Sequence, residues 1–508
     1  MAKYYLTTTL PYVNAAPHLG HALEFVQADV LARSRRAAGD EVVFNTGTDE
    51  HGLKIYRKAL EEGKDPAAYV AEYAAKFDDL KHALNLSYTN FIRTHTPEHM
   101  AAAQEFWRRC AATGDIYKKQ YAVKYCVGCE LEKTDSELVD GACPIHPSLT
   151  LETIEEKNYF FRFSKYQVPL LALYRARPDF VVPEARLREI TSFVERGLTD
   201  FSISRLKAKM PWGVPVPDDA DHVVYVWFDA LVNYISTLGW PHSASAEGEA
   251  PRGTPETFSE WWGSVERPNA VQVAGKDNLR QQSAMWQAML MSADLPPSKQ
   301  IFIHGFIGID GQKMAKSAGN IIDPFVIAEK YGTDALRYYL LRELPAYEDG
   351  DFSIAKFEEA YNGSLANGLG NLVSRVVKMA ATANCALPKP RAEAGVRADT
   401  VETLDAVPEF DTLWKAYDEG LAEFNFKAAA DAVWAAIAMT DRHIQSTEPF
   451  KKMKTDPEAA KRDILALLAD IRAIALHLAP MLPGTSEKIL AAVMAPSSDF
   501  KPLFPRLH

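Results

Sequence analysis

Three cysteines and a histidine crowd into one short stretch, YCVGCELEKTDSELVDGACPIHP. Cys126 and Cys129 form a C-x2-C pair, Cys143 and His146 a C-x2-H pair, and thirteen residues separate the two. Two close pairs let four ligands converge as a tetrahedron, Gly128 permits the tight turn that points thiolates inward, and Pro144 stiffens the second turn. Four protein ligands fill the shell, so the expected site is structural and the expected ion is zinc. Chance scatter is the weaker reading against this pairing. Cys110 and Cys385 stand apart and read as buried thiols.

Three further stretches carry polar side chains in suggestive patterns. PYVNAAPHLGH (Pro11 to His21) holds His18, Gly20 and His21. Spacing alone leaves those histidines open as metal ligands, as surface residues or as groups aimed at negative charge. DGQKMAKSAGN (Asp310 to Asn320) places Lys313 and Lys316 three apart beside glycines. Such lysines suit a mobile loop that closes on phosphates, although a lone K-x-x-K, taken by itself, reads better as solvated loop. GTDEHG puts Asp49, Glu50 and His51 side by side. Adjacent residues rarely converge on one ion, so a metal there is the poorer reading.

These residues need a frame. Residues 4 to 9, YYLTTT, read as a strand rich in β-branched and aromatic types. ALEFVQADVLARSRRAAGD has helical apolar spacing and stops at Gly39; EVVFNTGTDEHG then reads as a second strand entering a polar turn. Strand, glycine turn, helix, strand is a βαβ unit of a doubly wound parallel sheet, whose ligands bind beyond the carboxyl ends of the strands. HLGH and GTDEHG both fall at such ends. From about Asp115 to Met210 the pattern turns to short aromatic, turn-rich segments, an insertion that splits the nucleotide fold. HVVYVWFDALVNY, NAVQVAGKD and QIFIHGFIGIDG read as strands of the second half, with Pro241 to Thr257 a polar loop. From about Phe357 the chain is alanine-rich and helically periodic. The expected fold is α/β, a Rossmann-type doubly wound parallel sheet split by a zinc-bearing connective insertion and followed by an all-α helix-bundle domain. Its segments are 1–114 and 221–305 (the two halves of the nucleotide fold), 115–220 (insertion), 306–356 (the lysine loop and the region after it) and 357–508 (helical domain).

A chain of 508 residues with 47% apolar and 24% charged residues fits an ordinary globular protein of about three domains. No run approaches the roughly 18 apolar residues of a membrane span. The amino terminus lacks an apolar signal core, so a cytoplasmic location is expected. A net charge of −11 argues against a protein that coats nucleic acid nonspecifically, but leaves room for a local basic footprint such as FKKMK (Phe450 to Lys454). Taken alone, that segment reads better as a solvated helix face.

The pairing of H-x-G-H near the first strand with K-M-x-K-S near the end of the nucleotide fold resembles the class I aminoacyl-tRNA synthetases. LPYVNAAPHLGHALEFVQADV, GTDEHG, the cysteine cluster, YVWFDALVNY, GKDN, FIHGF and KMAKS occur in one order from about Leu6 to Ala318. As a set they resemble the methionyl-tRNA synthetase family, and NLVSR (Asn371 to Arg375) extends the likeness more weakly into the tail. HLGH alone is shared with several related enzymes.

The resemblance implies a ligase forming an aminoacyl-tRNA ester: methionine is activated with ATP and Mg2+ to an adenylate, and the methionyl group then passes to the terminal adenosine of tRNA(Met), initiator tRNA included. It implies His18, His21, Lys313 and Lys316 as catalytic donors to the phosphates, with Lys316 the weightier lysine. Such donors suit the negative charge of the transition state at the α-phosphate. Tyr12, Gly20, Glu24, Gly275, Lys276 and Asp277 are implied at ATP, with Glu24 near ATP or its Mg2+ and Asp277 suited to ribose hydroxyls. A surface carboxylate is the plain alternative for Glu24. Asp49 matches the partner of the methionine ammonium, and Leu10, Tyr12, Trp227, Ala230, Tyr234 and His304 match positions that enclose the side chain. Rings around a thioether contribute about 0.3–1.5 kcal/mol each. Homocysteine differs by one methyl, a difference worth roughly 1–3 kcal/mol, and the resemblance implies editing by cyclisation. Asn371, Arg375 and Phe450 match residues that meet the anticodon. Phe450 stands where the family commonly has tryptophan, and a core residue is its plain alternative.

Ala315 replaces the serine usual in this lysine loop, while both lysines and Ser317 are kept. A synthetase for another apolar amino acid would generally carry a far larger insertion. An HxGH nucleotidyltransferase would be shorter and lack the cysteine cluster. A noncatalytic tRNA-binding paralogue has only Ala315 in its favour. No appended dimerising domain is visible, so a monomer is expected.

Overall fold

The computed structural model describes residues 2–133, 137–241, 255–314, 320–388 and 409–507. Residues 315–319 of the lysine loop, with Ala315, Lys316 and Ser317, and most of the polar loop after Pro241 lie outside them. The chain divides into two compact units. One comprises Met1–Pro17, Glu41–Lys81 and Tyr88–Ile303; the other comprises His18–Asp40, His82–Ser87 and His304–His508.

The first unit is built on a six-stranded sheet. Strand β1 (Lys3–Thr8) and, after helix α1 (Leu19–Ala37), strand β2 (Glu41–Thr48) stand near their expected places. Helix α2 (Leu53–Glu61) follows the GTDEHG turn, and β3 (Asn90–Arg93) and helix α3 (Pro97–Ala112) come next. β1 pairs in parallel with β2 on one side, Tyr5 opposite Val43, and with β9 (Ala270–Gly275) on the other, Tyr5 opposite Ala270. β1 therefore borders the point where the winding reverses, which places a ligand crevice beyond its carboxyl end. β10 (Gln300–His304) continues the sheet, and the β10 edge is closed by a two-residue strand, β7 (Val181–Val182), in parallel register. That edge strand comes from within the insertion and is too short to show in the sequence.

The insertion differs from the expected run of short segments. β4 (Ile116–Cys126) and β6 (Glu152–Phe161) form a long antiparallel ladder from Ile116–Phe161 to Tyr125–Glu152, with β5 (Leu131–Lys133) on the other side of β4. Cys126 closes β4, so the ladder carries the cysteine cluster at its tip.

HVVYVWFDALVNY is corrected more sharply. Only its first three residues, His222 to Val224, are strand, the end of β8 (Asp219–Val224) in a small antiparallel sheet apart from the six-stranded one, and Val226–Ala230 is a helical turn, α4. Its aromatic and β-branched composition mimics a strand. The aromatic core beneath explains why it coils: Phe228 turns inward to Phe106 and Trp107, with ring centroids 5.7 and 5.6 Å apart. Cys110 is buried here as expected, whereas Cys385, in the second unit, is only half-buried.

The second unit holds α1, a small three-stranded sheet and the helical region. QIFIHGFIGIDG splits into β10 and β11 (Ile307–Ile309), and β11 pairs with β12 (Gln312–Lys313) and β13 (Gly350–Phe352). Helices α5 (Asn371–Thr382), α6 (Glu409–Ala422), α7 (Phe426–Thr447), α8 (Pro449–Thr455), α9 (Pro457–Leu478) and α10 (Pro483–Met494) make the expected helical domain. Within this unit α1 is fixed by a fully buried ion pair, Asp29 to Arg337 at 2.8 Å. Arg337 also donates to the carbonyls of Leu84, Pro480 and Met481, and Asp29 accepts from Ser87, so no charge is left uncompensated.

Candidate active site and metal centre

Beyond β1 and β2 the two chain segments continue side by side. The amide of Asp49 donates to the Pro11 carbonyl at 3.0 Å, and the amide of Val13 donates to the Asp49 carbonyl at 3.2 Å. This pins Leu10 and Tyr12 beside Asp49. Leu10, Asp49, Trp227, Ala230 and Tyr234 line one cavity, together with Gln282, which the sequence did not single out. The Tyr12 and Trp227 rings meet edge to face at 6.2 Å.

The polar atoms here are short of partners. Asp49 is 2% exposed, and its Oδ1, the Tyr12 hydroxyl and the Trp227 indole N–H are buried without a hydrogen-bond partner. Burial, then the negative charge of Asp229, push the Asp49 carboxyl well above its ordinary range, opposed by the backbone N–H of His51. An ammonium group would supply what this carboxylate lacks.

Asp229 anchors the cavity wall from behind. Its Oδ2 faces Nδ1 of His51 at 2.6 Å and its Oδ1 faces Nε2 of His99 at 2.8 Å, all three side chains buried. Burial alone would raise its pKa, but the charge of His51 and the hydrogen bonds from both rings outweigh it and hold the carboxyl at about 2. His51 thus faces Asp229, Glu50 forms a two-point pair with Arg93, and Asp49 faces the cavity. The three neighbours diverge, as expected for residues that do not share an ion. Asp229 and His99 were invisible in the sequence because their partners lie 178 and 130 positions away.

On α1 the HLGH segment caps its own helix. His18 is the N-cap: its Nδ1 accepts from the Gly20 amide at 3.1 Å, while Nδ1 of His21 accepts from the His18 amide at 3.2 Å. The rings stack at 3.8 Å. Burial, then the neighbouring His18, hold His21 well below its ordinary pKa. With Nδ1 accepting, each neutral ring carries its proton on Nε2, a donor at a helix N-terminus. Glu24 and His304, expected at ATP and at the methionine side chain, are hydrogen-bonded to each other: Glu24 Oε2 lies 3.0 Å from His304 Nε2, and His304 Nδ1 lies 2.8 Å from the Gly305 carbonyl. His304 is not among the residues lining the cavity above.

Gly275 ends β9 buried, and Lys276 and Asp277 form a 3-10 turn in which Asp277 is exposed. Lys313 lies in β12, its backbone opposite Gly308. Asn371 begins α5 and is exposed, Arg375 pairs with Asp441 at 2.6 Å, and Phe450 is 43% exposed, so it is not a core residue. In the FKKMK segment Lys451 and Lys452 are paired with Glu448 and Asp463.

The cysteine cluster closes as its spacing requires. Cys126, Cys129, Cys143 and His146 bring their ligand atoms within 4.8 Å of one another, the one such group among the described residues. Cys129 Sγ lies 3.5 Å from Cys143 Sγ and 3.2 Å from His146 Nδ1. The edges of a tetrahedral Cys3His zinc site, from its bond lengths, are about 3.5–3.8 Å, a few tenths of an ångström from the two separations above, so the donor set suits the ion. A Cβ on Gly128 would fall 2.6 Å from the His146 ring, and only glycine lets that ring close the group.

The model of "tRNA synthetases class I (M)" matches residues 4–150 and 146–377, and that of the "anticodon binding domain of methionyl tRNA ligase" matches 393–502. Fold, site and matches together place the chain among the class I aminoacyl-tRNA synthetases. The methionine–tRNA ligase of Thermosynechococcus vestitus is 42% identical over 487 residues, 95% of this chain and 88% of that one. That of Brucella melitensis is 40% identical over 499 residues, 97% of this chain and 92% of that one. The structure of Mycobacterium tuberculosis methionyl-tRNA synthetase in complex with methionyl-adenylate superposes with a TM-score of 0.87 at 36% identity, covering both chains fully. The chain belongs to the methionine–tRNA ligase family. Its reaction is the ATP-driven ligation of methionine to tRNA. No helix of the described residues is long and apolar enough to cross a membrane.

Proposed function

We propose that the cavity at Asp49 is the methionine site of this ligase, and that the family's two steps run on the residues named here. The observation that carries this is a buried carboxylate oxygen without a partner in an aromatic-walled cavity. The methionine ammonium pairs with Asp49, and its side chain lies among Leu10, Tyr12, Trp227, Ala230 and Tyr234. His304, the further residue assigned to the methionine side chain, is hydrogen-bonded to Glu24. The methionine carboxylate attacks the α-phosphorus of ATP, the bond to the β,γ-phosphates breaks, and pyrophosphate leaves. A hydroxyl of the terminal adenosine of tRNA then attacks the adenylate carbonyl, loses its proton and expels AMP.

His18 and His21 donate from Nε2 to phosphate oxygens, Gly20 lets the adenine approach, and Gly275, Lys276 and Asp277 hold the ribose side. Lys313 and Lys316 close on the β- and γ-phosphates. Mg2+ arrives as the counterion of ATP, and Glu24, hydrogen-bonded to His304, is the carboxylate assigned to ATP or that ion. Zinc, held by Cys126, Cys129, Cys143 and His146, supplies a structural cross-link and no chemistry. Cys126→Ser is expected to lower the metal content from about one zinc per chain, with three ligands left of the four a closed site needs; metal analysis finding it unchanged would remove the ligand assignment.

The five segments described above are the proposed functional division. The protein is proposed to act in the cytoplasm as a monomer, to edit homocysteine by cyclisation, and to charge elongator and initiator tRNA(Met). Asn371 and Arg375 read the anticodon and Phe450 stacks on an unstacked base. Arg375→Ala is expected to reduce charging of both tRNAs by about tenfold or more while ATP–pyrophosphate exchange stays near wild type, because the half-exposed pair with Asp441 contributes little to stability. Equal loss in both assays would contradict the anticodon role.

A further inference from the structure

Glu130, next to Cys129, is a buried carboxylate that none of these roles uses. It is 1% exposed, and its backbone lies at φ +52°, a conformation that a non-glycine residue keeps only when its surroundings hold it. Its side chain accepts from the backbone N–H of Lys54 at 2.7 Å and from the Tyr125 hydroxyl, and its carbonyl accepts from the Tyr225 hydroxyl. Each partner leads to a functional segment. Lys54 lies in the first turn of α2, directly after the turn bearing Asp49. Tyr225 is the N-cap of α4, which bears Trp227 and Ala230. Tyr125 precedes Cys126.

The junction has no spare room. A Cβ on Gly52, which sits at φ +113°, would lie 3.2 Å from the Glu130 carboxylate and 3.8 Å from Val226 Cβ. Lys54 adds a second tie, its ammonium donating to the Gly128 carbonyl at 3.3 Å.

We propose that Glu130 is a positioning residue that couples the cysteine knuckle to the methionine pocket. With its backbone fixed beside a metal ligand, it holds the Asp49 turn and the Trp227 helix at the separation methionine requires. Loss of the metal releases that grip and weakens methionine binding without touching the phosphate donors.

The inference rests on the methionine-pocket reading, and the two fail separately. Asp49→Asn binding methionine like wild type would remove the pocket reading and this one with it. Glu130→Ala, with Asp49 intact, tests the coupling alone. It is expected to raise KM for methionine about tenfold, the usual scale for outer partners of a site, while kcat and KM for ATP stay within about twofold and zinc content is unchanged. Glu130→Gln keeps an acceptor for the Lys54 amide and is expected to restore most of the methionine KM. Hydrogen exchange at Lys54 should be slow in wild type and Glu130→Gln and fast in Glu130→Ala. Stripping metal with 1,10-phenanthroline should raise the methionine Kd, read by tryptophan fluorescence, in wild type but no further in Glu130→Ala. An unchanged methionine KM in Glu130→Ala, a uniform loss in all constants without rescue by glutamine, or a phenanthroline effect that is equal in both proteins or absent from both would overturn it.

Discussion

Asp49→Asn is expected to lower kcat/KM for methionine by about 10²- to 10³-fold, the cost of leaving a buried charge without its partner. The KM for ATP is expected to stay close to wild type. The same carboxylate makes the effect pH-dependent. Burial and Asp229 raise its pKa, so Asp49 takes up its proton at a higher pH than an ordinary aspartate does. Only the ionised form pairs with an ammonium, so methionine binding should strengthen as pH rises through that pKa and release protons. Calorimetry in buffers of different ionisation enthalpy reads that release, and Asp49→Asn should abolish it. The sign for stability is opposite. A carboxyl whose folded pKa is raised favours folding as pH falls, so the ionised group destabilises the ligand-free protein at neutral pH. Asp49→Asn should therefore melt higher than wild type without methionine. A lower melting temperature together with undiminished methionine use would contradict both halves of this account.

Asp229→Ala is expected to destabilise the protein by about 3–5 kcal/mol, because His51 and His99 would remain buried around a missing anion. Urea unfolding measures it directly. The wild-type carboxyl is held at about 2 against an ordinary 3.8. Its contribution is therefore fully present above about pH 4 and is lost as pH falls through about 2, amounting to ~2 kcal/mol. Asp229→Asn should lack that acid-limb loss. A variant as stable as wild type, with the same acid limb, would show that the two histidines are satisfied from elsewhere.

What the chain revealed in advance followed from how local each cause is. The cysteine cluster was legible because ligand type and spacing are contained within about twenty residues, and its four side chains converge as expected. β1, α1 and β2 were legible because periodicity and a terminating glycine are local too. YVWFDALVNY was misread because packing on Phe106 and Trp107 decides its conformation over its strand-like composition. The edge strand Val181–Val182 is defined only by its partner β10. In the site, Asp49 was named from its motif, but its missing partner could not be seen without the cavity. Asp229 and Glu130 were missed entirely, since their work is done through residues far along the chain. HLGH was ambiguous as a string. Only the reciprocal cap fixes both Nδ1 atoms as acceptors and thereby assigns the donor proton to Nε2.

The most direct test is amino-acid-stimulated ATP–pyrophosphate exchange by the purified protein, run with methionine, leucine, isoleucine and valine, and repeated with Asp49→Asn. The expected result is exchange stimulated by methionine alone in wild type and nearly abolished in the variant at the same methionine concentration. Exchange that prefers another amino acid, or that survives intact in Asp49→Asn, would contradict the assignment of this cavity to methionine.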